Sequence, residues 1–497
     1  MIEQAPGRLD LFRFEPRIKV LHLTWLAFFV SFVVWFNHAP LMAAIRSSLH
    51  LTDQQVSALL ILNVALTIPA RIVVGMLVDK LGPRLMYSLL LAISGGLCVF
   101  FGLAKSFETL ALARFLLAFV GAGFVIGIRM IGEWFPAKQT GLAQGIYAGL
   151  GNFGSAAAAV TLPGVALLAG GPDGWRWAIV VTGAISILYS LIYYFSVSDT
   201  PKGSTYFKPK KTGSMEITSR GDFFLYVAVQ APLVLALGLL AWKLGPSGLK
   251  LLPAAAVNGV YAVLAALYAY QIYDMWRVNA SVMRGERVPA LHRYKFSQVA
   301  VLSLAYFVTF GSELAVVSVL PLLFKDLFGL SLAVAGFVGA SFGGTNFFAR
   351  PAGGWFSDRY GRRLAALVCM GGAAVGYLAM SAATSPVGQT FGVAFAALAT
   401  MGCSLFVNAG NGATFAILPL IKRRLTGQIA GIVGAFGNVG GVLYLTLYSF
   451  TSPHVFFLAT AGTAALGFVL IYLFVDEPKG QIAETMPDGS LVMIDVA

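Results

Sequence analysis

The sequence predicts an all-α polytopic membrane protein of two six-helix halves with a pair of inserted helices, 14 spans in all, and three observations predict it. Hydrophobic residues make up 58% of the chain and charged residues 11%, with a mean hydropathy of +0.80, far outside the usage of soluble domains. Apolar runs of the ~20 residues that a membrane helix needs recur from end to end. The two main sets of runs also carry one loop motif at matching places, the mark of an internal duplication.

Taken in order, the polar start MIEQAPGRLDLFRFEPRIK has no apolar stretch ending in a small-residue cleavage site, so the first span is expected to direct insertion itself. Six runs follow, near 20–45, 54–78, 85–104, 107–135, 141–170 and 175–197. A basic linker from Lys202 to Arg220 leads into FFLYVAVQAPLVLALGLLAW and LKLLPAAAVNGVYAVLAALYAYQIY, separated by a Gly/Pro turn that Lys243 and Lys250 bracket. These read as two more spans, peripheral to the core; the alternative is a re-entrant or surface hairpin. A second basic linker ends near Lys295, and six further runs lie near 297–324, 331–356, 364–384, 388–419, 427–450 and 452–475. The expected division is a first half at 1–200, linkers and inserted pair at 201–295, a second half at 296–476 and a tail at 477–497.

The net charge of +13 could suggest nucleic acid, but the basic residues form no amphipathic face and sit in short loops. Arg8, Arg13, Arg17 and Lys19, then Lys80 and Arg84, then Lys202, Lys208, Lys210 and Lys211 fall on the side that the positive-inside rule assigns to cytoplasm. The expectation is a multi-pass protein of a bacterial inner membrane, bathed in lipid, monomeric, with both termini cytoplasmic and no nucleic-acid partner.

After the second run of the first set the chain reads RIVVGMLVDKLGPR, and at the same place in the second set RPAGGWFSDRYGRR. Arg71, Gly75, Asp79, Gly82 and Arg84 match Arg350, Gly354, Asp358, Gly361 and Arg363 with identical spacing. In such a tight loop the glycines allow the turn, and the Asp can meet the arginine and nearby helix ends, so a gating role is expected. The pattern resembles the signature loop of the major facilitator superfamily, which implies two halves related by an axis along the membrane normal and a site at the midplane. A second pair, GLGNFGS at 149–155 and AFGNVGG at 435–441, repeats on the fifth run of each half.

Arg71 and Arg350 lie about two turns inside their spans, where an arginine costs roughly 2.5–3.5 kcal/mol on insertion scales. Snorkelling toward the loop side is the bland alternative, but it does not require symmetric placement. Two guanidiniums facing one cavity repel unless an anion sits between them, and a planar fork suits a planar oxyanion such as nitrate. No carboxylate shares these two segments at bundle depth, so the substrate is the expected counter-ion. Asn152 and Asn438 add donors, or equally serve as interhelical hydrogen bonds.

GAGFVIGIRMIGEWFPAKQ, AGLGNFGSA, YFVTFGSELAVVSVLP, NAGNGATF and AFGNVGG make the resemblance specific: across both six-helix halves the chain is similar to the nitrate/nitrite porters, the NarK-like branch of the superfamily. The resemblance implies that Arg71 and Arg350 hold the anion, that Asn152 and Tyr306 assist, and that Phe124 and Phe310 enclose its faces. Where some relatives place a further Phe in the first span this chain reads WFNHAP, so His38 is a candidate for that wall. Secondary active transport of nitrate, and of nitrite as second substrate or exchange partner, is implied. Nitrate/proton symport leads; nitrate/nitrite antiport and a carrier of another small organic anion are the alternatives.

Glu313 stands alone in the seventh span of the core, three residues beyond Phe310, and must be paired or protonated; it is the candidate proton carrier, a static salt bridge being the alternative. Arg129 and Glu133, at i and i+4, are expected to pair structurally near the cytoplasmic end. His22 and His38 could relay protons but are better read as packing residues. Cys98, Cys369 and Cys403 have neither metal-ligand nor disulfide spacing, and no cofactor loop or catalytic spacing is present, so no cofactor, metal or enzymatic activity is expected.

Overall fold

The computed structural model describes residues 10–13, 15–209, 213–289, 293–330, 341–477, 480–485 and 491–495. Arg8, Lys210, Lys211 and the first part of the expected 331–356 span lie outside them. Among the described residues 13 helices are long and apolar enough to cross a membrane. In the first half these are α1 (Pro16–Leu41), α2 (Leu62–Leu81), α3 (Pro83–Gly102), α4 (Phe107–Trp134), α5 (Ala137–Ala169) and α6 (Gly174–Ser196). The inserted pair is α7 (Arg220–Leu244) and α8 (Ala254–Val278). The second half continues with α9 (Phe296–Leu320), α10 (Asn346–Tyr360), α11 (Arg362–Thr384), α12 (Gly388–Leu420), α13 (Arg423–Phe450) and α14 (Pro453–Phe474), of which α10 is the shorter helix outside the 13. A short antiparallel pair, β1 (Gln481–Thr485) with β2 (Leu491–Asp495), is a small departure from helix in the tail.

Local chemistry sets the boundaries. Pro16, Pro83 and Pro453 open their helices at a position where the missing N–H costs nothing. Gly82 and Gly361 turn α2 into α3 and α10 into α11 with φ of +91° and +109°, which a side chain would strain. Small residues bring α2 onto α13 and α10 onto α5. A Cβ at Gly431 would stand 2.5 Å from the Arg71 carbonyl oxygen, and one at Gly145 would stand 2.7 Å from the Arg350 carbonyl oxygen. Each arginine helix is thus pressed backbone to backbone against the fifth helix of the opposite half, which carries both arginines into the centre.

Burial follows the same logic. Helices α9 and α13 are the most enclosed of the 13, and α8 is the most exposed, packing chiefly on α7. The inserted helices are therefore peripheral, although α7 also packs against α9 and α13, with Tyr226 on Phe296 at 4.9 Å between ring centroids.

Candidate anion-binding site

Arg71 and Arg350 are both 1% exposed. Their guanidinium carbons lie 5.5–5.8 Å from the centroids of the same two rings, Phe124 and Phe310, so the two cations flank one aromatic layer. Among the described residues neither meets a carboxylate within ion-pair distance. Arg71 donates to the carbonyls of Gly434 and, at 3.2 Å, Gly121, while Arg350 donates to the Tyr306 hydroxyl at 3.2 Å. Uncompensated cations at this depth are where an anion is bound most strongly.

The aromatic layer is built by α4, α9 and α12. A π-helical turn, Phe307–Gly311, widens α9 where Tyr306 and Phe310 stack at 5.0 Å. Phe124 lies parallel to Tyr306 at 6.1 Å, and Phe415 stands edge-on to both at 4.6 Å. Phe28 and Tyr147 complete the wall, stacked on each other at 4.8 Å and each beside Phe124. The first-span aromatic is therefore Phe28 and not His38. The α-helical part of α1 ends at Phe36, and His38 lies in the turn that leads into its last three residues, buried near Arg114 with both ring nitrogens unpaired among the described residues. Phe28, Tyr147 and Phe415 were not anticipated; the one sequence signal for Phe415 was its place at the end of NAGNGATF.

Asn438, 1% exposed and one turn beyond Gly434, has both amide atoms unpaired among the described residues, so its donor capacity is unused. Asn152 is half-buried, and its side chain makes no hydrogen bond among the described residues. Glu313, 7% exposed, meets no arginine within ion-pair distance among the described residues. It accepts instead from the amides of Asn346 and, at 2.7 Å, Asn411, two residues that the sequence did not single out.

The paired loop motifs join the halves. Asp79 accepts from the backbone N–H of Gly427 and Gln428, both at 2.8 Å, and Asp358 from Gly141 and Leu142 at 2.9 and 2.7 Å. Each motif carboxylate therefore caps the start of the opposite half's fifth helix, where the helix dipole favours it. The expected partner of Asp79 is corrected. Arg84 turns away to the Tyr194 carbonyl at 2.7 Å, and Arg129 takes its place, 3.3 Å from Asp79. Arg129 also pairs with Glu133 at 3.1 Å, as expected, but reaches the Arg423 and Phe207 carbonyls too, so the pair also links the first half to the second half and the linker. In the linker, Tyr206 donates to the Val78 carbonyl at 2.6 Å and covers Arg129, whose guanidinium carbon is 4.7 Å from the ring centroid.

The profile of the Major Facilitator Superfamily matches residues 24–282 and 302–492. The chain is 45% identical to the nitrate/nitrite transporter NrtP of Picosynechococcus sp., the alignment covering 96% of each, and 44% identical to NrtP of Nostoc punctiforme over 95% of each. Among solved structures, the proton:xylose symporter XylE has the same fold, with a TM-score of 0.59 at 14% identity over 93% of this chain and 96% of that one. With a profile matched over most of its length and relatives this close over nearly all of theirs, the chain belongs to the major facilitator superfamily, in its nitrate/nitrite porter branch.

Proposed function

We propose that this protein carries nitrate, with nitrite as second substrate, across the bacterial inner membrane by alternating access, and that it couples nitrate to protons. The anion sits between Arg71 and Arg350 against the faces of Phe124 and Phe310, with Tyr306, Asn438 and Asn152 as further donors. Both termini are cytoplasmic, the halves divide at 1–200 and 296–476, and the monomer is the working unit. The observation that supports the reading is the pair of fully buried arginines, one from each repeat, facing the same rings with no carboxylate within ion-pair distance among the described residues. A planar oxyanion accepts from both forks at once.

Glu313 supplies the coupling. With it ionised, bound nitrate meets a second negative charge, and at an effective dielectric of about 20 a 4 Å approach costs about 4 kcal/mol. Protonation removes that repulsion, so nitrate and a proton bind together. The motif carboxylates Asp79 and Asp358 close the cytoplasmic side, each releasing the opposite half's fifth helix when that side opens.

Reconstituted protein tests the function directly. Labelled nitrate should accumulate in proteoliposomes under an imposed inward proton gradient, and more than with internal nitrite as the only driver. Accumulation on internal nitrite alone, indifferent to the proton gradient, would establish antiport instead.

A further inference from the structure

We infer that Asn346 and Asn411 are positioning residues for proton coupling: their amides hold Glu313 when it is ionised, and one of them turns over to accept its O–H when it is protonated. The inference rests on the reading of Glu313 as the proton carrier and extends it to residues that do not touch the anion.

A buried carboxyl that changes protonation needs opposite partners in its two states. Ionised, it only accepts; protonated, it must also donate. In the structure both amide nitrogens face the carboxylate, Asn346 on Oε1 and Asn411 on Oε2 at 2.7 Å. The amide oxygens of the same two side chains are buried and have no hydrogen-bond partner among the described residues. A half-turn of either amide therefore breaks no other side-chain bond and presents an acceptor to the new O–H. A hydrocarbon side chain could serve neither state, and an arginine only the ionised one.

The placement ties the pair to the site. Asn346 stands four residues before Arg350 on α10, hence on the same helix face, and Asn411 four residues before Phe415 on α12. Among the described residues, the other charged or titratable groups near Glu313 are Arg350 on α10, Tyr306 on α9 and Tyr377 on α11, the last through Ser312. Helix α12 contributes amides only, Asn408 being turned to Thr345 at 2.7 Å. None of these groups is better placed to exchange donor for acceptor at the carboxyl.

The test compares Asn346→Leu, Asn411→Leu and Glu313→Gln in proteoliposomes, with nitrate exchange and proton-driven accumulation measured side by side. Each Leu variant should lose proton-driven accumulation by about tenfold or more, hold exchange within about threefold of wild type, and flatten the pH dependence of nitrate affinity. Nitrate-induced infrared difference spectra give a second readout. A protonated carboxyl band that Glu313→Gln removes should shift toward the position of a carboxylic acid without a hydrogen bond in the Leu variant that lacks the amide that turns over. If Glu313→Gln loses accumulation while both Leu variants retain it with wild-type pH dependence, the inference fails and the carrier assignment stands. If Glu313→Gln itself still accumulates nitrate, the carrier assignment fails first. A parallel loss of exchange and accumulation in folded Leu variants, with the band unmoved, assigns the asparagines to packing and overturns the proposal.

Discussion

The two halves meet the arginine clamp with unlike surroundings. Gly154 approaches the Phe29 carbonyl as Gly440 approaches the Phe307 carbonyl, so α1 and α9 occupy equivalent places. Six residues beyond those contacts stand Trp35 in the first half and Glu313 in the second. Four residues before the two arginines stand Thr67 and Asn346. Trp35 and Thr67 pack against Gly121 and close the first-half position with an indole, while Glu313 and Asn346 join Asn411 in a polar cluster. Duplication thus supplied a symmetric arginine pair, and the proposed proton carrier stands in the half where that symmetry is broken. A buried carboxylate in both halves would add two repulsions to one anion; an indole in both would leave nothing to titrate.

The two arginines are the part that the halves share, so the effect of losing either should be equal and largest. Arg71→Lys and Arg350→Lys should each weaken nitrate binding at least a hundredfold, about 2.7 kcal/mol, because an ammonium keeps the charge and loses the fork. Equilibrium binding to detergent-purified variants with wild-type thermal stability checks this, and one variant binding normally would leave a single-arginine site.

The gate comes next, and there the halves should differ. Asp79 is fully buried and bonds to Arg129 from α4, distant in sequence, whereas Asp358 bonds to Arg362, four residues on at the start of α11. Charge-assisted bonds contribute about 1.5–3 kcal/mol each, of which only the part that differs between the open and closed states appears in the rate, so Asp79→Asn should slow nitrate exchange about tenfold and Asp358→Asn about threefold. Equal rates in the two variants would mean that Arg129 adds nothing to the gate.

The smallest effect is expected from the linker. Tyr206→Phe removes a hydroxyl that donates to the Val78 carbonyl and accepts from Arg129, and should change exchange by about threefold or less, because Arg129 keeps Asp79 and Glu133. Replacing 221–273 by a short polar connection that leaves Tyr206 in place should keep transport measurable, since α8 packs chiefly on α7. Complete loss in a well-inserted protein would draw the inserted pair into the mechanism.

Much of this was legible in the chain because it is local or repeated. The motif pair, the two arginines two turns above it and the isolated Glu313 each stand out against apolar background without knowledge of any contact. What was not legible depends on distant pairing. Asp79 and Arg84 share one loop, but Arg129 wins the carboxylate because α4 runs beside α2, which no local spacing reveals. Phe28 is one of several aromatics in α1, and only the close approach of Gly151 selects it for the wall. Asn346 lies inside the expected 331–356 span, and nothing in its local sequence shows that its amide meets Glu313 from another helix.

Nitrate titration of purified wild-type and Glu313→Gln protein, from mildly acidic to mildly basic pH, tests the central claim most directly. A symmetric clamp coupled through one carboxylate predicts that wild-type affinity weakens as pH rises and Glu313 ionises beside the anion, while Glu313→Gln stays tight and flat. A wild-type affinity that does not change with pH, or a Glu313→Gln curve that falls in parallel with it, would contradict the account.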